Sequence, residues 1–470
     1  MALKSKKCIK ESANLVAKLR EYSPYINHNY TLLGLLVFSF FMWGLGLNFL
    51  LIPLLGLYCL TVFLSSDDPK SVFAVIFAGP FFLNNIADST SYYFYAIGAV
   101  CVFIGVIYFL VRKLSIEKVE VTKGKMFWAF VAFTIASVLG GIVGYFNIVT
   151  TICIFAMCVV FYVMYFIMLN FCSGLKVFWR RFFIVFGIEL ILQLFFLHAM
   201  SDDFFASLTS KSIFFVGAQN INTLAVYLLL AMLSMFWLAY EDKKHDYLYC
   251  LGAIAFAGTI FLAYSRINTL LAFLFALVSF IIVFVKSPHK KLFGICAGIV
   301  ATGVLFMCVV FWDNLVDLIS WYIKLGFSGN GRDILWPWCF KEFLKHPIFG
   351  VGFVSYEGLV PTVASNIVIM AHNDLLQSLV STGIVGSIFM LYFYVKKYSI
   401  VIGRKSDFDT FTFINVLFLT CVGIVDQCTT MDPFVMLIGF MLVVIAEQFG
   451  SERSKAPVSP SNDTPATQKE

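Results

Sequence analysis

Residues 217–240 read GAQNINTLAVYLLLAMLSMFWLAY, and Glu241-Asp242-Lys243-Lys244 follows at once. From Thr223 to Tyr240 no residue carries a charge. Wound as a helix, residues 217–240 are long enough to cross the ~30 Å hydrocarbon core of a bilayer. In lipid every backbone N–H and C=O needs a partner within the segment, so such a run is a helix. Its two ends differ: the amides of Gln219, Asn220 and Asn222 open it, and charges close it. The same pattern recurs along the chain. Candidate spans are 30–47, 50–65, 71–87, 92–112, 126–144, 148–170, 179–197, 217–240, 247–264, 266–285, 291–312, 373–395, 409–427 and 432–449. Pro53 and Pro80 open the alternative that some of the first four are re-entrant. The expected fold is an all-α polytopic membrane protein, a bundle of 12–14 transmembrane helices.

Composition agrees. The 470 residues are 60% hydrophobic and 13% charged, and the mean hydropathy is +0.90. A soluble domain carries about 25% charged residues. The net charge of +6 is spread over short loops and is no nucleic-acid footprint. The twelve cysteines lie mostly inside apolar runs, with neither metal-ligand spacing nor a disulfide framework. Cys339 and Cys428 fall in or near outward segments, where two free thiols are expected and a pairing is the alternative.

Orientation follows from the positive-inside rule. With a cytoplasmic N-terminus, the loops Arg112 to Lys125, Lys176 to Arg181, Glu241 to Lys244, Lys286 to Lys291 and Lys396 to Lys405 share the cytoplasmic side. The outward connections are short, or acidic and polar: Asn84 to Ser91, Ser201 to Lys211, Asp426 to Asp432, and one large loop. The expected layout is a cytoplasmic tail (1–29), a transmembrane bundle (30–312), a large outward loop with short amphipathic helices (313–372), C-terminal transmembrane helices (373–450) and a disordered cytoplasmic tail (451–470). Residues Met1 to Arg20 lack the apolar core of a signal peptide.

Ionisable residues gather in the large loop. Gly331-Arg332-Asp333 opens an amphipathic stretch with Trp336, Phe340 and Phe343 on its apolar face, and Gly350-Val351-Gly352 reads as a bend. Ala371-His372-Asn373 closes the loop, and Asn373 and Asp374 suit a helix start. At 100° per residue His372, Leu375, Leu376, Leu379, Gly383 and Gly386 fall on one stripe. A single helix is therefore expected to pack through its small residues and present His372 at its outer end. His372 is either a proton acceptor or a plain interfacial residue. Arg266, in Tyr264-Ser265-Arg266 at an outward hairpin, is either a ligand-binding or a snorkelling arginine. Asn222 either binds a polar ligand or caps a helix. Glu189 and Gln193 share a face of one span and are expected to bond to each other, with a proton path as the alternative.

Two outward arginines and one histidine suit attack by a hydroxyl on a lipid-linked pyrophosphate donor. Arginine grips phosphate through paired donors, and histidine takes a proton near neutral pH. Carboxylates holding a divalent metal are the usual alternative. Asp67-Asp68 and Asp407-Phe408-Asp409 lie on the cytoplasmic side, and the outward Asp202-Asp203 has no evident third ligand. The expectation is a site with no metal and no cofactor.

These residues resemble the O-antigen ligase family, within a wider group that includes Wzy-type polymerases and O-linked oligosaccharyltransferases. The family's His-Asn, nine residues, Gly, two residues, Gly pattern is matched by His372-Asn373 and Gly383-Ile384-Val385-Gly386, with Ser387 where the family has Thr or Val. Its Gly-Arg-x-x-x-Trp element resembles Gly331-Arg332-Asp333-Ile334-Leu335-Trp336, its Ser-Arg hairpin Ser265-Arg266, and its Asn helix start Asn222-Thr223-Leu224-Ala225. The resemblance covers residues 217–387 by motif. It implies a fold similar to the C-type glycosyltransferases with one large periplasmic loop. It also implies transfer of a glycan from undecaprenyl pyrophosphate to a hydroxyl of lipid A-core, on the periplasmic face of a bacterial inner membrane. By the same resemblance His372 would be the catalytic base. Arg266 and Arg332 would bind pyrophosphate, and Asn222, Trp336 and Asn373 would support them. The rivals are a polymerase, a protein O-oligosaccharyltransferase and a polysaccharide transporter. A transporter is expected to show internal repeats and interrupted helices.

Overall fold

A computed structural model describes residues 18–26, 28–82, 89–143, 148–201, 221–263, 265–310, 332–352, 371–403, 408–426 and 433–455, with isolated positions between 312 and 323. Among these residues every regular element is helical. The first group is α1 (Asn29–Gly44), α2 (Asn48–Ser65), α3 (Lys70–Phe82) and α4 (Ser89–Leu110), the last continued by a π-helical turn, Val111–Ile116. Then come α5 (Phe127–Val143), α6 (Ile148–Phe171), α7 (Leu175–Ala199), α8 (Ile221–Glu241), α9 (Asp246–Leu262), α10 (Arg266–Lys286) and α11 (Lys290–Val310). The last four are α12 (Arg332–Lys345), α13 (Asp374–Ile402), α14 (Thr410–Asp426) and α15 (Pro433–Lys455).

The protein is an all-α polytopic membrane protein. Seven described helices are long and apolar enough to cross a bilayer: α2, α4, α6, α7, α8, α10 and α13. Six more apolar helices of 10–17 residues accompany them, so the expected 12–14 spans are reached only by counting shorter ones. Pro53 and Pro80 both lie inside helices.

The core forms around the stretch that opened the sequence. Helix α8 is buried on every side from Leu224 to Leu233, and again at Phe236, Trp237 and Ala239. A helix apolar all round belongs at the centre of a bundle. Helices α7, α9, α10 and α14 pack around α8, α5 and α15 pack on α6, and α13 packs on α5, α14 and α15. In the first group, α2 and α4 touch backbone to backbone. A Cβ on Gly56 would stand 2.6 Å from Gly98 Cα, the close approach that small residues permit between helices in lipid.

One end of the bundle is laced by ions. Lys113 Nζ reaches Asp67 at 2.5 Å and Glu117 at 2.7 Å, and Arg112 donates to Leu64 O, Ser66 O and Asp67. Asp68 binds Lys70 and the Ser173 hydroxyl. Lys176 joins Glu241 and Asp409 at 2.7 and 2.6 Å, Arg180 also meets Glu241, and His289 Nδ1 lies 3.1 Å from Asp246. Basic residues at 112–113, 176–180 and 289 thus meet carboxylates at one end of the bundle. Asp67, Asp68 and Asp409, candidate metal carboxylates in the sequence, are engaged there by lysine. Asp202 and Asp203 lie outside the described residues.

Two expectations change inside the bundle. Glu189 and Gln193 are both buried in α7, yet neither side chain has a hydrogen-bond partner among the described residues, so they do not bond to each other. Four residues apart they share a face, but their polar ends do not meet. Lys397, expected in a basic loop, is instead buried within α13. Its ammonium lies over the Tyr394 and Tyr398 rings, 4.2 and 5.6 Å from their centroids, and 3.3 Å from Thr420 Oγ1.

Candidate active site

Helix α13 is not one straight rod. Gly383 has φ 63° and ψ −163°, which no helix accommodates. A straight helix would separate Asp374 and Tyr394 by about 30 Å. Instead Tyr394 Oη donates to Asp374 Oδ2 at 2.9 Å, and the Ser378 and Ser387 hydroxyls lie 3.3 Å apart. The chain folds back at Gly383 into two arms, 374–382 and 384–402.

The break costs backbone hydrogen bonds, and another segment replaces them. The N–H groups of Val351 and Gly352 donate to Val380 O and Ser381 O at 2.8 and 2.9 Å. In return Ile384 N and Val385 N donate to Pro347 O and Ile348 O at 2.8 and 3.2 Å. Irregular backbone survives in a bundle only when its polar groups are satisfied this way. Only glycine fits at the crossing: a Cβ on Gly383 would sit 2.4 Å from Ile348 C, and one on Gly350, at φ 70°, 2.5 Å from Ser381 C. The bend at Gly350-Val351-Gly352 is therefore a splint for a broken helix. The expected single stripe from His372 through Gly386 does not form. Gly383 makes room for residues 348–349, and Gly386 for the Thr382 side chain.

His372 sits at the mouth of the short arm. It and Lys118 are the two non-glycine residues with positive φ among those described, and its φ is 51°. A left-handed conformation costs an ordinary L-residue roughly 1–2 kcal/mol. Such strain persists where neighbours over-determine it, and it clusters at functional sites. The neighbours of His372 are tied on both sides. Ala371 N donates to Gln377 Oε1 at 3.0 Å, and Ala371 O accepts from Trp336 Nε1 at 2.8 Å. Asn373 caps the arm: its Oδ1 accepts from Leu376 N at 2.9 Å. The imidazole itself is half-buried.

Helix α12 presses on the short arm. Leu335, Cys339 and Phe343 pack with Val351, Ala371 and Val380. Phe343 faces inward as expected, whereas Trp336 and Phe340 stay exposed. Burial pushes the Cys339 thiol up to about 12, and the thiol is free. Arg332 begins α12 and is half-buried; Gly331 lies outside the described residues.

The second cluster belongs to α8 and α10. Ser265 Oγ donates to Asn222 Oδ1 at 2.8 Å, and Asn268 Nδ2 donates to Ser265 Oγ at 2.9 Å. Ser265 occupies the N-cap position of α10 but spends its hydroxyl on Asn222. Asn222 is therefore more than a cap: it ties the start of α8 to the start of α10, where Arg266 begins. Gln219, Asn220 and Tyr264 lie outside the described residues.

Both clusters occupy the end of the bundle opposite the ion-laced one. Helix α8 has Glu241 at the ionic end and Asn222 at the other. Helix α5 begins at Phe127, next to Lys125, whose N–H binds Glu447 at the ionic end. Near its far end a Cβ on Gly140 would meet Ser381 O at 2.7 Å and Phe349 O at 3.1 Å.

Sequence reading missed Asn268, Gln377 and Ser381, and took Asp374 only as a helix-start residue. A signal was there: residues 374, 377, 378, 381 and 382 are all polar, at helical spacing, and all buried. Glutamine 377 binds both Ala371 N and, through Nε2, Ser381 Oγ at 2.9 Å.

Residues 251–391, 141 of the 470, match the family model described as O-antigen ligase. Over that stretch the chain is similar to the O-antigen ligase family. No curated protein matches the chain. The matched segment takes in Ser265, Arg266, Arg332, Trp336, His372, Asn373 and the break at Gly383; Asn222 lies outside it. The family is one of membrane enzymes, ligases and polymerases that act on polyprenyl-linked glycans with a lipid acceptor. The splint at residues 347–352 and the strained His372 both lie within the matched segment.

Proposed function

We propose that the protein is an O-antigen ligase, moving O-antigen polysaccharide from undecaprenyl pyrophosphate to lipid A-core at the periplasmic face of a bacterial inner membrane. The observation that carries the reading is His372, held left-handed between tied neighbours at the end of the bundle away from the basic clusters. Those clusters mark the cytoplasmic side by the positive-inside rule. On this reading the loop bearing residues 313–372 is periplasmic and both termini are cytoplasmic.

The chemistry is a displacement at the anomeric carbon. A sugar hydroxyl of lipid A-core loses its proton to His372 and forms the new C–O bond. The bond to pyrophosphate breaks, and undecaprenyl pyrophosphate leaves with the electron pair. Arg266 and Arg332 offset the charge on the leaving group. Asn222, Trp336 and Asn373 hold the walls, through Ser265, Ala371 and the helix cap respectively. The proposed mechanism uses no metal and no cofactor.

The family also holds polymerases, which differ in acceptor. A deletion strain separates the two. Loss of a ligase leaves lipid A-core uncapped while long undecaprenyl-linked polymer accumulates. Core capped by single repeat units would instead make the protein a polymerase. Unglycosylated secreted proteins would make it a protein O-oligosaccharyltransferase, and failure to carry the lipid-linked glycan across the membrane would make it a transporter.

A further inference from the structure

The two arms of the hairpin are tied far from their crossing. Asp374 is 1% exposed, two residues after His372, and its Oδ2 accepts the Tyr394 hydroxyl at 2.9 Å. Tyr394 lies eleven residues beyond Gly383 on the long arm. The Lys397 ammonium, 4.2 Å above the Tyr394 ring, also acts on the Asp374 carboxylate through its charge. The Tyr394 and Lys397 side chains line a small cavity with Met390, Phe393, Met436 and Phe440, so both stand at a packed seam between α13, α14 and α15.

The other bonds described above that fix the neighbours of His372 are local or come from α12. Gln377 and the Asn373 cap lie within the short arm, and Trp336 reaches over from α12. The Asp374–Tyr394 bond ties the base of the short arm, next to His372, to the long arm, while the Ser378–Ser387 contact joins the arms nearer the crossing. The splint at residues 347–352 braces the far end of the short arm at Gly383, and cutting the Asp374–Tyr394 bond loosens the end that carries His372. The strained φ of His372 needs a rigid frame on both sides.

We propose that Asp374 and Tyr394 form a positioning clamp that holds His372 in its left-handed conformation, with Lys397 seating the Tyr394 ring. Neither is a catalytic residue: the pair acts through the backbone at residues 372–374. The inference rests on the reading of His372 as the catalytic base, and it deepens that reading.

The test compares purified Tyr394→Phe, Asp374→Ala, Asp374→Asn and the Tyr394→Phe/Asp374→Ala double variant with the parent protein. Tyr394→Phe removes one hydroxyl and keeps the ring. A hydrogen bond to a charged group is worth enough that its loss lowers kcat about tenfold, with KM for the lipid-linked donor unchanged. Asp374→Asn keeps an acceptor for the hydroxyl and recovers most of the rate that Asp374→Ala loses. The double variant is no slower than the slower single one, because both break the same bond. A second readout needs no turnover: the rate at which diethyl pyrocarbonate modifies His372, followed by peptide mass spectrometry. That rate rises in Tyr394→Phe, while those of His245 and His289 at the ionic end stay fixed.

Parent-like kcat and parent-like His372 modification in Tyr394→Phe would overturn the clamp. Additive losses in the double variant, or a fall in thermal stability with kcat unchanged, would also overturn it. If the parent protein transfers no glycan, the ligase reading fails, and the His372 modification rates still decide the clamp.

Discussion

His372 is the residue where cost and purpose meet. Its φ of 51° carries a penalty that any residue but glycine must meet. Substitution to glycine therefore separates strain from chemistry. His372→Gly removes the imidazole and also relieves the backbone. We expect its melting temperature in detergent to equal or exceed that of the parent while transfer is abolished. His372→Ala keeps the strain and loses the imidazole, so it is both inactive and less stable than His372→Gly. Equal stability of the two variants would mean the left-handed conformation costs nothing. Sequence made His372 visible through its place beside Asn373 and its spacing to Gly383. Its backbone conformation was not legible, because φ at a single residue depends on contacts from Trp336 and Gln377 that no local pattern encodes. Asn268 was missed for a similar reason: one asparagine in a helix's first turn looks ordinary until Ser265 and Asn222 are seen to converge on it.

At the scale of the element, the hairpin in α13 decides the site. The sequence shows one candidate span over 373–395, and 100° spacing naturally yields one helix with a small-residue stripe. Two facts defeat that reading. Residues 374–382 carry a polar stripe that points inward, and the free backbone at Gly383 is repaired by a segment some thirty residues earlier in the chain. Repair at that distance leaves no mark in helical periodicity. Gly383→Ala tests the repair. Its Cβ would stand 2.4 Å from Ile348 C and 2.6 Å from Phe349 N, backbone atoms that cannot swing away, at a positive φ. We expect a loss of roughly 3 kcal/mol or more in stability, read as a large fall in melting temperature together with lost transfer. Gly258→Ala, in open space on α9 with nothing within 4 Å of its Cβ, serves as the control and should leave both near parent values.

For the whole molecule, asymmetry of the two ends is the organising fact. The apolar runs were legible because hydropathy is summed over many residues. The ionic lacework itself was not, since pairs such as Lys176–Asp409 join residues 233 apart in sequence. Those ties have a pH signature at Asp67. Partial burial raises its carboxyl, but the bond from Lys113 and the charges of Lys113, Arg112 and Arg20 outweigh that and hold it below the usual carboxylate range. A carboxylate depressed in the folded state contributes stability above its unfolded value, near 3.9, and loses it as pH falls through the folded value. Acidification toward pH 3 should therefore lower the melting temperature of the parent more than that of Asp67→Asn. Parallel curves would mean that the Asp67 pairs add nothing.

The account stands or falls on transfer itself. The decisive measurement incubates the purified protein with an undecaprenyl-pyrophosphate-linked glycan and purified lipid A-core, and follows the appearance of glycan-capped core and free undecaprenyl pyrophosphate. The parent protein should form both, and His372→Ala and Arg332→Ala, each still extracted from the membrane as folded protein, should form neither. Undiminished transfer by His372→Ala, or growth of the lipid-linked glycan with the core left bare, would contradict it.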